Sequence, residues 1–550
     1  MHHAAIILLS FCLTEDPSPT LRAMHDELDR TVSRLRMDDV DPAYYVTFTL
    51  DESETYSCDA QLGALVSDSD GGRRSISIDL RVGNYALDNT NFVNRFYLTG
   101  RRHSLSLTKD DDYWPTRQRL WLTADRAYKQ AVEDYAAKEA WLKTNRVTDR
   151  PEDLTRIEPV EHLEARLPLE VDRDSARALA RSLSAEFRDA EQIQGSRVTF
   201  TTGASAATSI STEGRRTRTS GRYARVSAQA WTQAEDGMPL GDLEVFYAKT
   251  AAGLPDEAEL RTSVQQMEKR LSERVTAPRA EEYIGPVLFE GEAACFLMLE
   301  LLIDRLSSPH EPLGLPQAGT PFKNRLNRRV TPNFLSVKDD PTLTEWGGIP
   351  LFGHFQIDDD GVKAQPLTLV EEGRLRNWYM SRIPTRSLKV SNGHSVGGAG
   401  GPGNVIVSSS NTLDRAALRK ELLNVAKDQE CEYGIRVEVM ARPDISVRGA
   451  RASGSYRNGA IQLSPPIAAY RVYTDGHEEP IRGGVWQGVT LRTLRDIYVT
   501  GDTSTVLNVA RRGLVSVVCP DLLVEELEMK RPEEEEAKLP YLPHPSFGGK

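Results

Sequence analysis

The stretch CFLMLELLID, Cys295 to Asp304, is apolar at nearly every position yet carries Glu300 and, four residues later, Asp304. Residues four apart share one face of a helix. A zinc-protease helix uses that layout, with histidines as ligands and a glutamate as base, to address one metal. No histidine stands anywhere in this run. The apolar pattern from Gly291 to Leu306 predicts a packed helix stopped by Ser307, Ser308 and Pro309. Its Glu300–Asp304 edge is expected to be solvated or hydrogen-bonded.

Around that helix, residues 283–528 are rich in strand patterns and glycine. PLTLVEEGRLRNWYM (366–380) reads as a hairpin turning at Glu371, Glu372 and Gly373. IRVEVMA, AAYRVYTDG and GLVSVVC read as further strands of a large antiparallel assembly. Upstream, Leu21, Met24, Leu28 and Val32 form one stripe of a helix over 19–37. Three alternating segments follow, Tyr44–Leu50, Tyr56–Leu62 and Ile76–Val82, with SDSDGG (67–72) predicted as the tight reversal between the last two. A long helix over 115–145 and a proline-bearing connection over 146–170 come next. Helix and strands then recur: DSARALARSLSAEF (174–187), strands near 196–202, 222–231 and 242–249, and a helix with Leu260, Val264, Met267 and Leu271 at its spacing.

The expected fold class is α+β: N-terminal modules of antiparallel sheet with flanking helices, then a large β-rich antiparallel domain. The expected division is a signal or disordered segment at 1–18, modules at 19–145 and 171–280 joined by a linker at 146–170, the β-rich domain at 281–530, and a disordered tail at 531–550.

Composition excludes several functions. A net charge of −12 over 550 residues argues against a nucleic-acid footprint, which needs clustered Lys and Arg. No apolar run approaches the roughly 20 residues that span a bilayer. The five cysteines, Cys12, Cys58, Cys295, Cys431 and Cys519, are widely spaced, which predicts mostly reduced, buried thiols. AAIILLSFCL (4–13) has the length of a signal-peptide core but no preceding Lys or Arg, so cytoplasmic and exported locations both stay open.

TAPRAEEYIGPVLFEGEAACFLMLE (276–300) resembles the TldD/TldE (PmbA) family, whose founding members were called modulators of DNA gyrase. AQAWTQAEDGMPLGDLEVF (228–246), VKDDPTL (337–343), DDDGVKAQPLTLVEEGRLRNWYMSR (358–382), SNGH with its glycine-rich sequel (391–403) and NVIV (404–407) fit the same family in order. The resemblance implies zinc metallopeptidases working in pairs, with HExxxH on this helix and a distant cysteine in the catalytic TldD branch. Carried over by position, the first histidine falls on Leu299, the glutamate on Glu300 and the second histidine on Asp304. The cysteine would fall near Thr500 to Thr503, where none stands. Leucine cannot ligate, so three zinc ligands do not assemble. The closest likeness is to the TldE branch, which lacks HExxxH.

Other motifs read as structure. HSVGGAGGPGN (394–404) lacks the ending of a phosphate loop and reads as a mobile loop. The resemblance places it beside a substrate channel, which makes Gly397, Gly398, Gly400 and Gly401 candidate substrate-binding positions. His477–Glu478 and SGSYRNG (453–459) read as turns, and the acidic pairs Asp339–Asp340 and Asp358–Asp360 as loops without calcium spacing. The expected function is a non-catalytic subunit without a cofactor of its own, paired with a zinc-bearing, HExxxH-carrying TldD-like homologue to enclose and cleave unfolded peptide. A self-associating (homodimeric) peptide-binding protein and a stand-alone peptidase are the other readings.

Overall fold

The computed structural model describes residues 18–37, 42–94, 97–100, 102–308, 312–314, 321–442, 444–447, 456–457, 460–510 and 513–531. The apolar run at 4–13 and the acidic tail lie outside the described residues. Helix α1 (Pro19–Arg34) opens on a proline, whose fixed φ suits the first turn. Asp112 caps α2 (Tyr113–Asn145), accepting from the Trp114 amide, and Asp172 and Asp256 cap α3 (Arg173–Ala185) and α4 (Glu257–Thr276) in the same way.

These helices cover one face of a seven-stranded sheet. Its strands are β1 (Ala43–Gln61), β2 (Ala64–Val82), β3 (His103–Ser106), β4 (Glu161–Leu163), β5 (Gly195–Ser211), β6 (Arg216–Gln233) and β7 (Pro239–Ala248). They run in the order β3-β2-β1-β5-β6-β4, with β7 also on β6. Strands from 43–82 and from 195–248 therefore share one sheet through the β1–β5 pairing.

The reversal predicted at SDSDGG is corrected. The chain turns instead at Leu62–Gly63, both at positive φ, and SDSDGG continues β2 opposite β1. Tyr44–Leu50 and Tyr56–Leu62 are thus one strand up to Gln61 rather than two. Gly71 and Gly72 stay extended because the ladder with Glu54 and Thr55 holds them.

Alternation then decides what each face carries. Phe48, Leu50, Tyr56, Cys58 and Ala60 point to the helix side. Around Phe48 and Leu50 they join Ile76, Ile78 and the apolar stripes of α1 and α2. Around Tyr56 they join Val198, Phe200 and the stripes of α3 and α4. Fully burying one such side chain is worth roughly 1.5–3 kcal/mol. The opposite face is polar.

The second sheet holds β8 (Tyr283–Phe289), β9 (Leu335–Asp339), β10 (Leu367–Glu371), β11 (Arg374–Leu375), β12 (Asn404–Ser409), β13 (Tyr433–Met440), β14 (Pro466–Tyr473), β15 (Glu478–Ile481), β16 (Ile497–Ala510) and β17 (Leu514–Lys530). With Thr412–Leu413 and Val485–Gln487 it has twelve strands. Most pairings are antiparallel; β8–β13 and β12–β17 are parallel. The expected hairpin forms between β10 and β11, with Glu372 and Gly373 both at positive φ. A Cβ at Gly373 would strike the Thr331 carbonyl, so glycine is required there. Helix α5 (Glu292–Leu301) packs inside this half, and α6 (Arg415–Asp428) covers it at Leu288, Leu422 and Leu523.

The two halves are riveted by buried polar contacts. Arg382 donates to Glu213 at 2.8 Å and to the Thr155 carbonyl at 2.9 Å. Arg215 donates to the Asp359 carbonyl at 2.9 Å.

Candidate functional site

Helix α5 forms because EAACFLMLEL has strong helix formers and neither Gly, Pro nor a β-branched residue. Every residue after Glu292 is buried, as expected for a helix apolar on all sides. The helix is shorter than the pattern predicted. It ends at Leu301, and Ile303–Arg305 forms a separate 3₁₀ turn. Leu302, at φ −118°, breaks the α geometry, and the Arg305 side chain caps the Glu300 carbonyl at 2.7 Å. Glu300 and Asp304 consequently do not share a continuous helix face.

Glu300 is fully buried and both its oxygens are engaged. The Ser464 amide donates to one at 2.8 Å and the Ser464 hydroxyl to the other at 2.6 Å. Trp486 fixes the same segment by donating to the Ser464 carbonyl at 3.1 Å. Leu299 is fully buried in the surrounding apolar core. Asp304 is exposed and lies on the wall of a large cavity. Thr500 is buried in β16, its hydroxyl donating to the Asn411 carbonyl at 3.2 Å. Cys519 is also buried, and burial pushes its thiol pKa well up, with Cys295 nearby adding to the shift.

The cavity, about 1440 Å³, opens between the two halves. Its roof is the polar face of the first sheet. Register aligns Arg73 and Ser75 of β2 with Ser53 and Asp51 of β1. These align in turn with Ser205 and Ala207 of β5, then with Gly221 and Thr219 of β6. Small side chains on four adjacent strands leave the groove wide. Burial raises the Asp51 carboxyl pKa, helped by the Asp359 charge. The other walls are Ile303–Ser307 after α5, Phe352–Phe355, Gly400–Pro402 and Gly513–Val515.

The edge of β6 is incomplete inside this cavity. β4 pairs with Arg216–Arg218 and β7 with Ala224–Gln233. The intervening residues 219–223 have no outer strand neighbour among the described residues, and Thr219 to Arg222 line the cavity. Glu164 takes only the Ser220 amide, at 2.8 Å. This gap and the polar roof were missed at sequence level. The available signal was the run of Thr, Gly, Ser and Ala at alternate positions of 199–211.

The glycine-rich loop divides. Gly400 and Gly401 line the cavity, whereas Gly397 and Gly398 form the positive-φ tip of a small hairpin away from the lining. A Cβ at Gly400 would collide with the Tyr379 carbonyl. Beneath the loop, His394 is buried with Nε2 3.7 Å from Asp339 Oδ1, too long for a hydrogen bond. Burial opposes the imidazolium, but the Asp339 carboxylate outweighs it and raises the His394 pKa. The other Asp339 oxygen accepts from the Gly403 amide at 2.8 Å, which fixes the loop. Asp358 likewise spends its carboxylate on the Asp360, Val362 and Ser395 amides. Burial raises its pKa to about 7, with Asp360 adding to the shift. Glu478 binds Arg436 at 2.7 Å, a structural ion pair beside the His477 turn.

The two sheets with their flanking helices agree with the expected α+β fold class. Residues 282–531 match the family model described as the PmbA/TldA metallopeptidase C-terminal domain. That match, a little under half of the chain, assigns its C-terminal half to the PmbA/TldD family's domain.

Solved structures of like fold include a protein described as a modulator of a DNA gyrase from Thermotoga maritima: TM-score 0.61, 15% identity, 92% of this chain and 100% of that one. A Bacteroides thetaiotaomicron protein of the same description gives TM-score 0.62 and 14% identity, over 95% of this chain and 100% of its own. TldE from Thermococcus kodakarensis gives 0.60 and 13%, over 92% and 100%. At these identities the likeness is one of fold. A metalloprotease from Archaeoglobus fulgidus is 39% identical over 72 residues, 13% of this chain. The match spans 16% of that relative's length.

Zinc, which the family implies, does not fit this helix. An aliphatic side chain stands at Leu299, the Glu300 oxygens are saturated by Ser464, and Asp304 has left the helix face. Among the described residues no group of three or more His, Cys, Asp and Glu is placed to hold a metal ion. No described helix is long and apolar enough to cross a membrane.

Proposed function

We propose that this chain is a non-catalytic, TldE-like subunit that forms one wall of a chamber in which a zinc-bearing, TldD-like homologue cleaves unfolded peptides. The observation that carries the reading is the conversion of the metal helix to a core element. The glutamate that would act as base is instead a buried acceptor for Ser464. The cavity supports the peptide half of the reading. Its open β6 edge offers backbone hydrogen bonds to an extended chain, which binds peptides with little sequence demand.

The test is reconstitution with a homologue carrying HExxxH. Neither this chain alone nor its Glu300→Gln variant hydrolyses an unfolded peptide. The mixture does, and it elutes as a mixed species. Hydrolysis by this chain alone, abolished by Glu300→Gln, overturns the proposal.

A further inference from the structure

Two cations face the cavity without counter-charges. Arg225 on β6 lies directly opposite Tyr247 on β7, and Lys249 follows two residues later on the same side. Diagonal neighbours on one sheet face lie roughly 7–8 Å apart, within reach of long side chains converging on one group. Both residues line the cavity.

Two acids of the cavity wall, Asp444 and Glu52, are already committed. Asp444 holds Arg442 at 3.2 Å and accepts from the Tyr247 hydroxyl at 2.8 Å. Glu52 holds Arg74 at 2.9 Å and Arg166 at 2.7 Å. The neighbouring Arg222 is neutralised by Glu170 at 2.8 Å. Arg225 and Lys249 have no ion-pair partner among the described residues; Arg225 interacts with the Tyr247 hydroxyl, but its buried Nε has no hydrogen-bond acceptor. Burial alone lowers the Lys249 pKa; no carboxylate offsets it. A buried donor without a partner is unfavourable unless something that binds there completes it.

We infer that Arg225 and Lys249 form a carboxylate anchor for peptide in this cavity, taking either a C-terminal carboxylate or an Asp or Glu side chain. The inference rests on the proposed peptide-binding role. Arg225 lies just beyond the open stretch 219–223. At about 3.3 Å per extended residue, a strand paired there reaches the cations within two or three residues. The guanidinium supplies planar donors suited to a carboxylate and the ammonium a point charge.

The probe is an N-terminally fluorescent, unstructured decamer of Gly, Ser, Ala and Val, binding to the full chain followed by anisotropy. Three forms are compared: free C-terminal carboxylate, C-terminal amide, and the amide with one internal Glu. A charge-assisted hydrogen bond is worth enough to make at least one carboxylate-bearing form bind about tenfold tighter than the neutral amide. Which form gains identifies the source of the carboxylate.

Arg225→Gln with Lys249→Gln reduces that preference below about twofold, whereas Lys249→Arg keeps it. Thermal melts matching the wild type show that the variants fold. Equal binding of all three forms by the wild type overturns the anchor but leaves the peptide-binding role intact. Failure of every form to bind overturns the role itself.

Discussion

The polar face of the seven-stranded sheet, which lines the cavity, and the buried helix α5, which ends just short of it, treat side chains in opposite ways. On the sheet, Ser53 aligns with Ser205 in one row, Ser75 with Asp51, Ala207 and Thr219 in the next, and all of them line the cavity. In α5, Leu299 and Glu300 are both fully enclosed, the first by apolar neighbours and the second by Ser464. The comparison separates two uses of polar chemistry. The sheet keeps its groups available, whereas the helix has committed Glu292 to Arg442 and Glu300 to Ser464. Within one scaffold a polar cavity face and a fully packed helix with a buried, satisfied glutamate thus coexist.

Substitutions should break that symmetry in a graded way. Glu300→Ala orphans two buried donors on Ser464 and is expected to lower unfolding free energy by about 2–5 kcal/mol in urea melts. Leu299→Ala leaves a cavity in the same core and belongs in the same range, about 2–5 kcal/mol. Values within about 0.5 kcal/mol of wild type for both would mean that α5 is not packed as described.

An intermediate effect is expected at His394, and its sign follows from the raised pKa. The attraction to Asp339 is complete below the ordinary histidine value of about 6.5 and fades as pH rises through the higher folded-state value. Stability of the wild type relative to His394→Gln should therefore decline as pH rises above the ordinary histidine value of about 6.5. A flat or rising difference would count against the buried pair. The smallest effect belongs to the cavity roof. Ser205→Ala should change stability by less than about 0.5 kcal/mol, checked in the same melts.

Much of the fold was legible because burial enforces period. α1, α3 and α4 carry apolar stripes at helical spacing, and the Glu372–Gly373 turn uses a residue pair that tolerates positive φ. The misplaced reversal shows where this fails. Residues 64–73 of β2 are mostly solvent-exposed, so no core imposes alternation and Gly71–Gly72 imitates a turn. The end of α5 was equally hidden: apolar residues continue to Leu306, and the break at Leu302 is set by tertiary packing and the Arg305 cap.

At the site, the burial of Leu299 was readable from the apolar run around it. The role of Glu300 was not, because Ser464 lies 164 residues away. Of the candidate glycines, Gly400 and Gly401 reach the cavity and Gly397 and Gly398 do not, a distinction made by the small hairpin. Arg225 and Lys249 carry no local motif; only strand register brings them together.

Zinc content decides the central claim. Purified chain equilibrated with excess zinc, then desalted, is analysed by inductively coupled plasma mass spectrometry beside its Glu300→Gln variant. Because no donor set converges on α5, both should retain far less than one zinc per chain. Stoichiometric zinc in the wild type that disappears in the variant would contradict the account.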